Sequence, residues 1–241
     1  MDELPLDELW VYLSGSPLLS LTLTLGCYLG AVVLFERGGR RSLLNPVLVS
    51  IVVLVLLLRA LDLSYPDYFA GAQFVHFLLG PATVALAVPL YRELPRLRRH
   101  AVPIAIALGA GFATTVGSTF LIARLVGLDR TLQLSIAPKA VTAPVAMGIA
   151  ERIGGLPTLT AVFAILTGVG GAVVALPLLA RLRVTDDAAK GLAIGLVSHG
   201  IGTARAFMAS ERAGTYAGLG MALSATLSAF VLPWLVALAV R

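Results

Sequence analysis

A lysine lies between two prolines inside an apolar stretch of this sequence. Pro138, Lys139 and Pro144 fall within residues 132–150, and Thr142 lies between the lysine and the second proline. A proline inside a helix removes a backbone donor and kinks the helix, so polar backbone groups near Lys139 must find partners elsewhere. Irregular backbone at membrane depth is tolerated only where protein encloses it or where it lines a wet cavity. The pattern predicts helix breaks at Pro138 and Pro144 and a cavity beside them.

The ammonium of Lys139 would then lie within the membrane, where inserting a lysine costs about 2.5–3.5 kcal/mol. A charge at that depth is normally paired, hydrated or in contact with a ligand. We expect Lys139 to bind a ligand, and the alternative is a side chain that extends to the nearest membrane surface.

A second polar cluster interrupts a later apolar stretch. Residues 197–205 contain hydroxyl, imidazole and guanidinium groups and a pair of glycines: Ser198, Thr203, His199, Arg205, Gly200 and Gly202. On a regular helix His199 and Thr203 share a face, whereas Arg205 points about 120° away. We therefore expect a helix break at Gly200 and Gly202. The bland alternatives remain open, since glycines also serve close helix packing and a buried histidine is often only a satisfied hydrogen-bonding group.

The two clusters together suit a small anion. Cations, hydroxyls and the freed N–H groups of broken helices offset the desolvation of a carboxylate. We expect an organic acid to bind the substrate-site residues Lys139, Thr142, Ser198, His199, Thr203 and Arg205, with His199 orienting it or carrying a coupled proton. No acid lies within the apolar runs except Glu151 and Glu211 at their ends, which argues against a metal or sodium site. No cofactor is expected, and no catalytic motif supports an enzyme.

The elements that must position these residues are membrane helices. The chain has 241 residues, of which 58% are hydrophobic and 13% charged, whereas soluble domains have about 45–50% apolar residues. A spanning helix needs about 20 mainly apolar residues. Eight such segments are predicted, at residues 17–35, 46–61, 68–91, 101–123, 132–150, 157–180, 191–209 and 216–240. The fold class is therefore an all-α integral membrane protein with about eight segments, two of them broken or re-entrant, in a single domain over residues 1–241.

The net charge is +5, and the basic residues lie in short clusters between apolar runs. This distribution is typical of the loops of a membrane protein, and it does not indicate a nucleic-acid partner. Seven arginines follow the first and third segments, against three after the second and fourth, so the N-terminus should face outside a plasma or inner membrane. Simple alternation would place Arg181, Arg183 and Lys190 outside, against this rule. The topology of the second half is therefore left open.

Internal repetition accompanies the two polar clusters. Residues 136–155 align with residues 196–215, which pairs Lys139 with His199 and the Glu151–Arg152 pair with Glu211–Arg212. Each copy then runs into a long apolar helix. We expect repeat units at residues 136–190 and 196–241, of the kind from which transporters build a central site out of broken helices. The alternative is chance similarity between small-residue membrane helices.

Four stretches of the sequence are distinctive: residues 77–91 (FLLGPATVALAVPLY), 135–144 (SIAPKAVTAP), 153–161 (IGGLPTLTA) and 198–205 (SHGIGTAR). In these stretches, and over nearly the whole chain, the sequence resembles the LrgB/CidB family of membrane proteins. One departure is Ala140, where the family pattern leads us to expect a serine. This resemblance implies antiholin-like or holin-like proteins that modulate murein hydrolase activity and autolysis, often beside a small LrgA/CidA partner.

A plant relative of that family is the plastidal glycolate/glycerate translocator. The resemblance therefore implies a carrier of two- or three-carbon acids, which agrees with the anion site expected from the residues. The predicted function is transport of carboxylates that resemble glycolate, glycerate, lactate or pyruvate. Coupling of this transport to protons is left open. The alternative is a holin-like or antiholin-like assembly that regulates cell-wall hydrolases, and a homo-oligomer is compatible with both.

Overall fold

The computed structural model describes residues 17–78, 81, 85, 91–92 and 94–239. Regular structure in these residues is helical, without a β-strand. In chain order the helices are α1 (Pro17–Arg37), α2 (Pro46–Ala60), α3 (Tyr65–Phe77), α4 (Leu94–Arg99), α5 (Ala101–Leu125), α6 (Arg130–Ile136), α7 (Ala143–Ile153), α8 (Pro157–Arg181), α9 (Asp187–Ala209) and α10 (Glu211–Ala239), with a 3-10 turn at Ser42–Leu44.

Helix length and side-chain exposure confirm an all-α membrane protein. Among the described helices, α1, α5, α8, α9 and α10 are long and apolar enough to cross a bilayer. Large apolar side chains such as Leu121, Leu166 and Phe230 are exposed on their outer faces, where lipid is a better solvent than water. The predicted count of eight segments stays a prediction, because the expected span at residues 68–91 extends beyond the described residues.

The chain divides into two compact units, residues 1–85 and 86–241. In the first unit, α1 packs against both α2 and α3. The Thr24 and Tyr68 hydroxyl oxygens lie 2.8 Å apart, and Ser50 Oγ donates to the Cys27 carbonyl at 3.5 Å. These hydrogen bonds join α3 and α2 to the same turn of α1, since Thr24 and Cys27 are three residues apart. Every predicted site residue belongs to the second unit.

Helix α9 is folded back on itself. A continuous helix of its 23 residues would hold its ends about 33 Å apart. Instead Ser210 Oγ donates to Asp187 Oδ2 at 2.8 Å, and Arg212 pairs with Asp186 at 3.5 Å. The reversal falls at His199, whose backbone has φ 40° and ψ −135°. Residues 187–198 and 200–209 are therefore the two legs of a helical hairpin.

Helices α6 and α7 form a second folded-back segment. A continuous helix would separate residues 135 and 156 by about 32 Å, yet the Leu156 amide donates to Ser135 Oγ at 2.8 Å. Thr160 Oγ1 also donates to the Ser135 carbonyl at 2.8 Å. Between the two helices, residues 137–142 make tight turns and one extended residue, Thr142. This hairpin is thus fastened to the start of α8.

The long helices α8 and α10 both contact each hairpin. The turn between α6 and α7 packs on α10, where Ala137 and Val141 join a buried cluster with Ala225, Ala229 and Leu232. The same cluster includes Ala164 of α8. The turn of α9 contacts α8 through the hydrogen bond from His199 to Ala164, and it contacts α10 through the Ser224 hydroxyl, 3.4 Å from the Leu196 carbonyl. Each reversal therefore lies against both long helices.

Candidate functional site

The first break lies between α6 and α7, where the sequence predicted it, but its two prolines have different places. Pro138 lies in the turn itself. Pro144 occupies the first turn of α7, after the N-cap residue Thr142. Backbone N–H groups in the first turn make no hydrogen bond within the helix, so the N–H that proline lacks is not needed there. The fixed φ of proline also suits a helix. Pro144 therefore starts a helix and does not kink one, contrary to the expected break at that residue.

Lys139 projects from this turn onto α5. Its Nζ donates a 2.8 Å hydrogen bond to Thr119 Oγ1, and Thr119 in turn donates to the Thr115 carbonyl at 2.6 Å. Lys139 is half-buried and Thr119 is buried. No carboxylate among the described residues forms an ion pair with the lysine. The ammonium thus has a neutral hydroxyl acceptor but no described counter-charge, which is the condition under which an anion would be attracted to it.

The second break is centred on His199, one residue before the glycine that the sequence favoured. A positive φ is unusual for a residue with a side chain, and such backbone conformations cost about 1–3 kcal/mol unless the surroundings impose them. His199 is only 4% exposed, and its Nε2 lies 2.9 Å from the Ala164 carbonyl. Gly200 and Gly202 follow within the second leg, so the predicted break is displaced from Gly200 and Gly202 to His199.

Two glycines of α8 make room for this turn. A Cβ added to Gly168 would lie 2.6 Å from His199 Cε1, and one added to Gly171 would overlap Ser198 Oγ. The turn thus fits closely into a notch in α8. Thr203 completes the arrangement by donating to the His199 carbonyl at 2.8 Å. The side chains of His199 and Thr203 therefore each form a hydrogen bond with a backbone carbonyl.

The remaining predicted residues have less distinct surroundings. Thr142 is half-buried and its side chain makes no cap hydrogen bond to α7. Arg205 is buried, with 8% of its surface exposed. The structure brings Ser198, His199 and Thr203 together in one cluster, and joins Lys139 to Thr119 in another. No hydrogen bond among the described contacts links Lys139 to His199, and a single site that includes both residues stays a prediction.

A small cavity lies beside the first break and brings in residues that the sequence analysis missed. Its volume is about 10 Å³, the room that one water molecule needs. Pro138 and Val141 form one wall, Thr115 and Val116 of α5 another, and Ser224 and Ser228 of α10 the third. Ser228 is 6% exposed, and no hydrogen bond of its hydroxyl to another described residue is found. The hydroxyls recur at a spacing of four residues, a signal visible in the sequence.

Comparisons with known proteins agree on one group. The chain matches the LrgB-like family over residues 24–238. It is 38% identical to the uncharacterized protein YwbG of Bacillus subtilis (strain 168), over 90% of this chain and 96% of that protein. It is 36% identical to the uncharacterized protein YxaC of the same organism, over 89% of this chain and 93% of that protein.

A third relative has a descriptive name. The antiholin-like protein LrgB of Bacillus cereus (strain B4264) is 28% identical, over 90% of this chain and 95% of its own length. No solved structure matches the chain. The similarity therefore extends over nearly the whole chain and includes both broken segments.

Proposed function

Because this chain belongs to the LrgB-like family of membrane proteins, we propose that it is a secondary carrier of small carboxylates such as glycolate, glycerate, lactate and pyruvate. The observation that carries the proposal is the environment of Lys139. Its ammonium lies at an interrupted helix, 2.8 Å from Thr119 Oγ1, without a described carboxylate partner. A bound carboxylate would supply the missing charge and two acceptor oxygens.

Contact of each hairpin with both long helices supports a duplicated, inverted architecture. Carriers with inverted repeats place discontinuous helices at the centre of the membrane and bind substrate there. Here the segments at residues 130–153 and 187–209 each pack on both α8 and α10. Such reciprocal contact is expected of two copies related by a pseudo-two-fold axis. We therefore retain repeat units at residues 136–190 and 196–241 as part of the proposal.

Re-entrant hairpins would also resolve the charge conflict of the second half. If each hairpin begins and ends on one side of the bilayer, α5 and α8 cross in opposite directions. The basic residues before α5 and after α8 then share a side, as the preference for cytoplasmic Lys and Arg requires. The contacts agree, since His100, Asp186 and Arg212 line a common cavity. On this proposal the N-terminus faces outside and the arginine-rich loops face the cytoplasm.

The test is uptake of labelled glycolate, glycerate, lactate and pyruvate into liposomes that contain the purified protein, with and without a pH gradient. We expect saturable uptake that Lys139→Ala abolishes. Lys190→Ala is the matched control, because Lys190 is the only other lysine and it pairs with Asp187 at 2.9 Å. Uptake that is absent in the wild type, or equal in the wild type and Lys139→Ala, would refute the carrier.

A regulator of murein hydrolases and autolysis is the second candidate function. The printed name of the Bacillus cereus relative, antiholin-like protein LrgB, favours it. In this case the helices would act through assembly, with a small LrgA/CidA-type partner or with further copies of the chain. Leakage of neutral dyes and carboxylates alike from the same liposomes, unaffected by Lys139→Ala, would favour this function over the carrier.

A further inference from the structure

A second, larger cavity lies in the same unit, toward the ends of α5 and α10. Its volume is about 570 Å³, within the range of about 300–1,000 Å³ that small-molecule sites have. Arg124 ends α5, Arg130 begins α6, and both side chains line the cavity with Gln133. Neither arginine forms an ion pair with a described acid. The cavity therefore offers two cations to an anion that enters it.

The two cavities share one lining residue, Val116. Along α5, Val116, Phe120 and Arg124 follow one another at intervals of four residues, so they lie on one face of the helix. Along α10, Ser228 lines the small cavity, and Leu235 and Val236 line the large one. On each helix the two levels are eight residues apart, or about 12 Å. The same pair of helices thus forms continuous walls from the arginines to the first break.

We propose that the arginine-lined cavity is the vestibule of the carboxylate path and that Val116 is the barrier between it and the hydroxyl-lined chamber at the first break. This inference rests on the proposed function and deepens it. The arginines raise the local concentration of anions, as charged clefts do. The chamber then offers the hydroxyls of Thr115, Ser224 and Ser228 to a substrate that carries its own hydroxyl, one α5 turn from the partner of Lys139.

Because the chamber is smaller than a carboxylate, the substrate must cross a barrier to enter it. At about 10 Å³ it has room for one water molecule, so a carboxylate can occupy it only after its walls move apart. Val116 is half-buried, and it lines both cavities. The conformation described here is therefore closed at the first break and accessible at the vestibule.

Thiol labelling tests the vestibule without relying on transport. In a Cys27→Ala background, Gln133→Cys should react about tenfold faster with an anionic methanethiosulfonate than with a cationic one, because two arginines surround it. Arg124→Gln with Arg130→Gln should remove that preference. The matched control is Arg181→Gln with Arg183→Gln, two exposed arginines beside the far end of α8. Equal rates with both reagents before any arginine is removed would overturn the vestibule.

Uptake into liposomes and thiol labelling also test the proposed carboxylate path. Arg124→Gln with Arg130→Gln should raise the KM for uptake at least threefold, with kcat unchanged and the difference reduced at high salt. Val116→Ala should speed modification of Ser228→Cys, and Val116→Phe should slow it, whereas Val162→Ala on the exposed side of α8 should not.

Two results would overturn the proposal. The first is an unchanged KM in an arginine variant that has lost the charge preference, because the cavity would then be cationic but outside the path. The second is modification of Ser228→Cys that is indifferent to residue 116. If the wild type carries no carboxylate, the proposed function fails by itself, whereas the labelling results still decide whether Val116 divides the two cavities.

Discussion

Lys139 donates its hydrogen bond to Thr119 across a sequence distance of twenty residues, from the first helix break to the second half of α5. Thr119 therefore fixes the position of the Lys139 ammonium. It also accepts the hydrogen bond of that ammonium when no ligand is bound. A buried polar group that loses its partner is destabilised by about 1–3 kcal/mol. This relationship links the stability of the fold to the affinity of the proposed site.

Replacing Thr119 separates these two roles. Thr119→Val keeps the shape and removes the acceptor, so we expect a lower melting temperature in detergent and an altered KM for carboxylate uptake. Thr119→Ser should preserve both values. The control is Thr226→Val, because the exposed Thr226 hydroxyl bonds only to the Ala222 carbonyl in its own helix. Equal behaviour of Thr119→Val and Thr226→Val would show that the lysine contact contributes nothing.

The notch under His199 should not tolerate a methyl group. A Cβ at position 168 lies 2.6 Å from His199 Cε1 and 2.7 Å from Nε2. Overpacking of this kind costs about 1–3 kcal/mol, so Gly168→Ala should lower the melting temperature. Gly170→Ala has open space around the new atom and should be neutral or stabilising, since alanine favours a helix by about 1 kcal/mol over glycine. Thermal unfolding of the two variants side by side checks this, and an equal loss in both would contradict the close fit.

Ser135 should be important for holding the first hairpin to α8. It is completely buried, and its hydroxyl accepts from the Leu156 amide at 2.8 Å. In Ser135→Ala that amide loses its partner, and we expect a loss of about 1–3 kcal/mol. Ser118→Ala is the control, because the Ser118 hydroxyl is exposed and bonds within its own helix. Proteolysis between α6 and α8 offers a second readout, with faster cleavage expected only for Ser135→Ala.

The hairpin of α9 predicts a short distance between residues 186 and 212. A continuous helix, which hydropathy alone predicts, would make that distance long. Spin labels at Asp186→Cys and Arg212→Cys, in a Cys27→Ala background, should lie close together, as the 3.5 Å ion pair requires. A continuous helix would hold them about 35 Å apart or more.

Labels at Leu156 and Leu182, which flank α8, provide an internal ruler near 39 Å. A pulsed electron paramagnetic resonance distance from residue 186 to residue 212 as long as the ruler would refute the hairpin.

Much of this architecture is visible in the sequence. Long apolar runs with charged ends predicted α1, α5 and α8 to within two residues at each end, because bilayer thickness imposes their length. A break at Pro138 was predicted because proline opposes a regular helix, and Pro138 lies in the turn at residues 137–142. These features depend on local chemistry alone, which is why one sequence suffices to predict them.

Other features depend on tertiary contacts and could not be predicted in this way. The bend at His199 is imposed by Ala164 and the glycine notch on α8, which lie 28 to 35 residues earlier in the chain. The sequence predicted the break at Gly200 and Gly202 because a glycine backbone adopts unusual φ and ψ angles more readily than a histidine backbone does. Thr119 was missed for a related reason, since a threonine in a membrane helix usually bonds to its own backbone and shows no sign of a distant lysine.

The two reversals differ in what lies beneath them. His199 covers Ala164 and Gly168, so its ring fills the space over α8, whereas the first reversal covers Ser224 and Ser228 and leaves a water-sized void. If the halves arose by duplication, the copies have since specialised. The first has a water-sized cavity beside its turn, while the second fits closely into the notch on α8. Selection would then constrain hydroxyl chemistry in one copy and side-chain volume in the other, and the two should tolerate different substitutions.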